Sequence, residues 1–321
     1  MQIKLALILP WLLITSGITD AGGFIRPGMT EKEIMVGGLS RRFIVYLPHS
    51  YNANARSSVF FLFHGGGGTP RSVLMISDND DFRKLSEKNN IILVAPEGIK
   101  KSWNDGRETK ADKLDIDDVG FVKVILGYIV KNYSVDTARI YATGISNGGF
   151  MVSRLACEMG DRFAAVAVVA ATLGEQMAST GCHLAAPLPV MYIHGTADPL
   201  VHFEGGTETI GAGGAYISHQ QIIDKWVSID KCSPVPVVKN LPDISDDGTT
   251  VTERVYRGNT DRAVVVSYII KNGGHTWPGG KQYLPKKYIG VVCRDINGCQ
   301  VIWDFFRMHK SAIPSGSDGN H

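Results

Sequence analysis

The chain has 321 residues, of which 44% are hydrophobic and 20% charged, with a formal net charge of +2. A chain of this length can bury one sizeable core, and α/β domains of this size stay undivided, so one catalytic domain over residues 22–310 is expected. The scattered Lys and Arg residues form no basic stripe, which argues against nucleic acid or an anionic membrane surface as a partner.

Lys4 precedes an apolar run from Leu5 to Ile14, and small and polar residues follow to Ala21. The run is shorter than the ~20 apolar residues that a membrane span needs, so residues 1–21 read as a signal peptide, with an uncleaved anchor as the alternative. A secreted or periplasmic protein is expected, without membrane contact once the leader is removed. Glu33 to Val36 and Arg42 to Leu47 flank Gly37-Gly38-Leu39-Ser40 and predict an antiparallel hairpin. Val59 to Phe63 and Ile91 to Ala95 are continuous apolar runs, as in strands buried on both faces of a parallel sheet. Between Asp117 and Asn132 the apolar residues Val119, Val122, Ile125, Leu126 and Ile129 recur at helical spacing, with Asp115 or Asp117 as cap.

Further along, strands are expected at Ile140 to Thr143, Ala164 to Ala170, Val190 to Ile193 and Val264 to Ile270. Helices are expected at Gly148 to Met159, Ala215 to Ile229 and Val301 to His309. This alternation predicts an α/β fold with a mostly parallel, doubly wound sheet flanked by helices. The tail, residues 311–321, has the polar composition of a disordered segment. Five cysteines, Cys157, Cys182, Cys232, Cys293 and Cys299, fit two disulfides and a free thiol, and Cys293 and Cys299, which bracket a turn-rich stretch, are the favoured pair. No Cys-x-x-Cys, His-Glu-x-x-His or EF-hand pattern occurs, so no metal is expected.

The segment Gly144-Ile145-Ser146-Asn147-Gly148 has the Gly-x-Ser-x-Gly form, which is weak by itself. Here it follows a predicted strand and opens a predicted helix, the setting in which a nucleophilic serine sits on a sharp turn between small neighbours. Such a serine needs a base and an orienting carboxylate, in the chain order Ser, Asp or Glu, His. Asp198 lies just past the strand Val190 to Ile193, and His275 just past Val264 to Ile270, both in loops where an open α/β sheet collects its catalytic groups. Asp224 and Asp230 fall on or beside a helix and are poorer candidates. His194 and His202 bracket the acid and are expected to support its loop, while His183, His219, His309 and His321 are expected in solvent. The run His64-Gly65-Gly66-Gly67-Gly68 follows the strand Val59 to Phe63, so bare N–H groups near Gly66, with that of Asn147, are candidate oxyanion donors. The rival phosphate-cradle reading lacks the required Gly-Lys-Ser/Thr ending.

Six ordered blocks carry a resemblance that spans Met29 to His309. They are His64-Gly65-Gly66-Gly67, Trp103-Asn104-Asp105-Gly106, Asp117-Asp118-Val119-Gly120-Phe121, Gly144-Ile145-Ser146-Asn147-Gly148-Gly149, His194-Gly195-Thr196-Ala197-Asp198-Pro199 and Gly274-His275-Thr276-Trp277-Pro278-Gly279. In these blocks the chain resembles the exported poly(3-hydroxybutyrate) depolymerase-like and feruloyl esterase-like hydrolases. The resemblance implies an α/β-hydrolase fold, no cofactor, and Ser146, Asp198 and His275 as the triad. Members act as polyester depolymerases, feruloyl esterases or acetylxylan esterases. The chain lacks the linker and polymer-binding domain that many extracellular depolymerases append, which argues against crystalline polymer. A carbohydrate-linked or small oligomeric ester is the expected substrate, and Trp103 and Trp277 are either flat surfaces for an aromatic acyl group or sugar ring, or rings buried under a loop. The alternatives are a catalytically silent binding protein on the same scaffold and a serine peptidase with the same triad.

Overall fold

The computed structural model describes residues 26–311, except residues 78, 110–111, 183 and 208–212. The expected leader, the tail beyond residue 311, His183 and His321 lie outside the described residues. The chain opens with β1 (Gly28–Val36) and β2 (Leu39–Leu47), paired antiparallel around Gly37 and Gly38, whose positive φ values of 57° and 79° suit the turn. Next come β3 (Ser57–Phe63), α1 (Pro70–Leu74), α2 (Asp81–Asn89) and β4 (Ile91–Pro96). Helix α3 (Asp118–Asn132) is capped by Asp117, whose carboxylate accepts the Gly120 N–H at 2.6 Å. Then follow β5 (Val135–Ile145), α4 (Asn147–Met159), β6 (Ala165–Val169), α5 (Glu175–Thr180) and β7 (Val190–Gly195).

Two short strands, β8 (Gly206–Thr207) and β9 (Ala215–Tyr216), pair with each other and precede α6 (His219–Ile229). Ala215 therefore belongs to a strand and not to the expected helix. The helix start is set by Ser218, whose hydroxyl accepts the Gln221 N–H while the Gln221 side chain accepts the Ser218 N–H. The chain ends with β10 (Val237–Asn240), β11 (Thr250–Arg257), β12 (Val264–Lys271), α7 (Lys286–Ile289) and α8 (Gly298–Phe306). Helix α8 starts earlier than its apolar run suggests because Asn297 caps it, accepting the Gln300 N–H at 3.0 Å.

Ten strands form one sheet in the order β1-β2-β4-β3-β5-β6-β7-β12-β11-β10. The strands from β4 to β12 in that order run parallel, with antiparallel pairs at both flanks. Alternate residues of each central strand feed different cores: Val59, Phe61 and Phe63 join α3, α4 and α6 on one face, and Phe60 and Leu62 join α1, α2 and α8 on the other. This two-sided burial explains the unbroken apolar runs. Registers pair Phe63 with Gly144, Ile145 with Val169, Val169 with Ile193, and Ile270 with Gly195, so β3, β5, β7 and β12 end along one edge. The chain leaves that edge at His64, Ser146, the Asp198 loop and the His275 loop.

Candidate active site

Ser146 joins the end of β5 to the start of α4 with φ of 58° and ψ of −130°, a region that a residue with a side chain occupies only when its surroundings force it. Its N–H is bonded to Val169 O at 3.0 Å and its carbonyl accepts the Phe150 N–H at 2.9 Å, so strand and helix hold the turn from both sides. The flanking glycines are required by packing. A Cβ at Gly148 would collide with the carbonyl oxygens of Phe63 and His64, and one at Gly144 would lie 2.6 Å from Gly148 O. Ser146 is half-buried between buried neighbours.

The glycine run packs on this turn: a Cβ placed at Gly65 would lie 3.4 Å from Ser146 Cβ, and one at Gly66 would lie 3.8 Å from Asn147 Cβ. Gly67 donates its N–H to Lys101 O at 2.8 Å and Gly68 to Gly65 O at 2.9 Å, which engages two N–H groups of the run and keeps Gly66 among its donor candidates. His64 anchors the loop. Burial, helped by Lys101, lowers its pKa to about 4, so its ring is neutral, with Nδ1 donating to Gly65 O at 2.8 Å and Nε2 accepting the Gly98 N–H at 3.1 Å.

Across the same edge, His275 Nδ1 lies 2.8 Å from Asp198 Oδ2. The other carboxylate oxygen accepts the N–H groups of Leu200 and Val201 at 2.9 and 2.8 Å. Burial opposes ionisation of Asp198, but the charge and hydrogen bonds of His275 and His194 outweigh it and hold the carboxyl well below the usual range. His194 is buried as expected of a supporting residue, with Nε2 at 2.9 Å from Val201 O and 3.5 Å from Asp198 Oδ2. His202 is exposed, and its N–H donates to the Tyr216 hydroxyl. His219 and His309, expected in solvent, are buried: the His219 ring stacks on Phe203 at 4.7 Å with Nε2 at 2.7 Å from Ser267 Oγ, and His309 meets Phe305 edge-on.

Trp103 and Trp277 are 0% and 1% exposed, so neither offers a face to a substrate. Trp103 packs on Phe63 and His64 and donates Nε1–H to His64 O at 2.9 Å, and Trp277 meets Phe82 edge-on. Both brace loops, so of the two expectations the buried packing holds and the substrate platform is corrected. The expected cysteine pairing is also corrected: Cys157 of α4 bridges Cys182, while Cys293, Cys299 and Cys232 are free and buried. Cys299 lies in the first turn of α8 among apolar side chains, and the loop before it is closed instead by Asp295, which accepts the N–H groups of Ile244 and Ser245.

Two features escaped the sequence reading. The Asn147 side chain accepts the Trp103 N–H at 2.8 Å and donates to Asp105 at 2.6 Å. Asp105 is paired with Arg107 at 2.8 Å, and the Arg107 guanidinium lies 3.8 Å from the Phe150 ring centre. Nearby, Asp118 binds Arg41 at 2.5 Å and accepts the Asn104 N–H at 2.7 Å. The polar blocks around Trp103 and Asp117, which the sequence marks only as parts of the family resemblance, thus buttress the turn at Ser146. The second feature is Tyr283, whose hydroxyl donates to His275 O at 3.0 Å while the residue stays 53% exposed. Burial of the hydroxyl end and the neighbouring Asp198 push its phenol up to about 12, so it remains a donor.

The profile of the prolyl oligopeptidase family matches residues 97–181, the stretch that carries the turn at Ser146. Over longer spans the chain is similar to feruloyl esterase C of Emericella nidulans, with 26% identity over 84% of this chain and 90% of that one. It is also similar to feruloyl esterase D of Neurospora crassa, with 29% identity over 66% of this chain and 67% of that one. Among solved structures, the acetyl xylan esterase from Aspergillus awamori superimposes with a TM-score of 0.58 at 12% identity, covering 87% of this chain and 99% of that one. At that identity the superposition speaks for the fold, and the sequence relatives speak for the kind of hydrolase. Taken together, fold and relatives make this chain an esterase-like α/β-hydrolase.

Proposed function

We propose that this chain, a carboxylic ester hydrolase by its likeness to named esterases, cleaves feruloyl or acetyl esters of plant polysaccharide, or short 3-hydroxyalkanoate esters, through an acyl-enzyme on Ser146. His275 takes the Ser146 proton as the serine attacks the ester carbonyl, and N–H groups of Gly66 and Asn147 hold the developing oxyanion. His275 then protonates the leaving alcohol, and a water repeats the sequence to free the acid. Asp198 fixes the tautomer in which the far ring nitrogen of His275 is the base, and stabilises the charged ring.

The observation that carries this reading is the 2.8 Å bond between His275 and a carboxylate held ionised, at the same sheet edge as a serine in a strained turn. The Cys157–Cys182 bridge supports an oxidising compartment and hence export. Ser146→Ala is expected to lower p-nitrophenyl acetate turnover by ~10⁴-fold or more with an unchanged circular dichroism spectrum. Retained turnover would remove Ser146 from the mechanism. A well-folded wild-type protein that never reacts with a serine-directed fluorophosphonate would favour a silent binder. Matched ester and amide substrates separate the esterase from the peptidase that the family match over residues 97–181 suggests. Released acid from feruloylated arabinoxylan, acetylated xylan and 3-hydroxybutyrate oligomers ranks the substrates.

A further inference from the structure

Between Gly280 and Val291 the chain makes an excursion whose two ends are fixed close to the candidate base. Lys281 N–H is bonded to Ile76 O, and His275 and Gly274 donate to Ile289 O and Val291 O at 2.6 and 2.9 Å. Gln282 closes the excursion from inside, donating to Leu284 O and Gly290 O and accepting the Val292 N–H. The segment is therefore a held projection, and Tyr283 fastens its middle to the carbonyl of His275.

Its surface has an unusual composition for so short a stretch. Tyr283, Leu284 and Tyr288 are 53%, 47% and 55% exposed. Lys286 and Lys287 are exposed beside them, Lys287 Nζ lies 4.7 Å from the Tyr288 ring centre, and residues 281–288 contain no acid. Lys100 and Lys101, also exposed, sit on the loop whose Lys101 carbonyl holds Gly67 of the glycine run. Positive charge with flat apolar rings thus borders the base, and further positive charge lies beside the candidate oxyanion donors.

We propose that the 281–288 segment is a polymer-binding rim that seats a uronate-bearing polysaccharide beside the ester, its tyrosine rings against sugar faces and its lysines against carboxylates. This rests on the reading of the site as an esterase and names the polymer that carries the ester. The geometry supplies the reason: the Tyr283 tether fixes the ring one hydrogen bond from His275, so a chain lying on it presents its substituents to the base. Lysine contacts at an exposed rim steer and select more than they tighten, and they weaken with salt.

The test uses the full chain carrying Ser146→Ala, so that binding is read without turnover, in affinity gels containing polygalacturonate, neutral xylan or dextran sulfate. Polygalacturonate should retard the protein at low salt, with binding weakened about tenfold on moving from 20 to 200 mM salt. Lys286→Glu with Lys287→Glu should weaken it by about tenfold or more, and Tyr283→Ala by about threefold at either salt. Thermal melts verify that the variants fold, and Tyr283→Phe, which keeps the ring, should bind better than Tyr283→Ala. Equal retention by neutral xylan, or indifference to the lysine changes, would overturn the rim. So would binding to dextran sulfate as strong as to polygalacturonate with no effect of Tyr283→Ala, which marks mere charge. Wild-type ester turnover without polygalacturonate binding sinks the rim alone, whereas polygalacturonate binding by a chain that hydrolyses no ester sinks the esterase reading.

Discussion

Around Ser146 the buried carboxylates face arginines: Asp105 meets Arg107 at 2.8 Å and Asp118 meets Arg41 at 2.5 Å. Around Asp198 they face histidines, His275 at 2.8 Å and His194 at 3.5 Å. Arginine keeps its charge at every pH a folded protein meets, whereas histidine changes charge near neutrality. The turn at Ser146 thus rests on interlocked glycines and buried aspartate–arginine pairs, in which burial raises the Asp118 pKa against the pull of Arg41. The proposed acid–base pair relies on a histidine that must gain and lose a proton to work. Substitutions on the two sides should therefore fail differently, one in stability and the other in rate.

The largest expected effect in rate is Asp198→Asn. The amide keeps the volume but favours the wrong His275 tautomer, so kcat should fall by about 10⁴ with little change in KM, as removal of an orienting carboxylate does in such triads. Its melting temperature should shift far less than that of Asp105→Asn. The latter strands Arg107 without its carboxylate in the interior, a loss of about 3–5 kcal/mol, which for a chain of this size is a drop of roughly 10 °C. Its effect on kcat, through the Asn147 side chain that Asp105 holds, should stay near 10². Thermal melts and steady-state kinetics on the two variants decide the matter. An unchanged melting temperature for Asp105→Asn, or a rate loss equal to that of Asp198→Asn, would erase the distinction between the sides.

The same division explains what could be read from the sequence. The central strands were legible because burial on both faces leaves unbroken apolar runs such as Val59 to Phe63, and Asp198 and His275 were legible because they follow such runs. Strands β10 and β11 were not, since an exposed edge such as Val237 to Asn240 has no buried face to impose a pattern. The Asp105–Arg107 and Asp118–Arg41 pairs were hidden because a charged residue reads as solvated until its partner, in the second case 77 positions away, is placed beside it. His219 was misread for the same reason: its partner Ser267 lies on a strand distant in sequence. Trp103 and Trp277 stayed open between two readings because nothing in a tryptophan's neighbours distinguishes a ring under a loop from one on top of it.

The smallest expected effect concerns a buried carboxyl at the opposite end of β7 from Asp198, with no side-chain cation hydrogen-bonded to it among the described residues. Asp230 ends α6, accepts the Leu188 N–H at 3.2 Å with one oxygen, and leaves the other without a hydrogen bond among the described residues. Arg262 lies near but directs its donors to the carbonyls of Pro187, Ala164 and Lys310. Burial dominates over the Leu188 N–H and Arg262 and pushes the Asp230 carboxyl up to about 7. Unfolded, the same group titrates near ~3.9, so between these values the folded chain keeps a proton that the unfolded chain has lost. The stability it contributes is full below pH ~4, falls as pH rises toward ~7 and is level above that. Asp198, held low, has the opposite sign: its contribution is present at neutral pH and is lost only as pH falls into the acid range. Asp230→Asn keeps the acceptor for Leu188 but cannot ionise. Its melting temperature should match wild type near pH 4 and exceed it by about 5 °C at pH 8, moving the stability maximum upward. Superimposable pH profiles would mean that Asp230 finds a cation in solution, and burial at this end of β7 would then carry no pH-dependent cost.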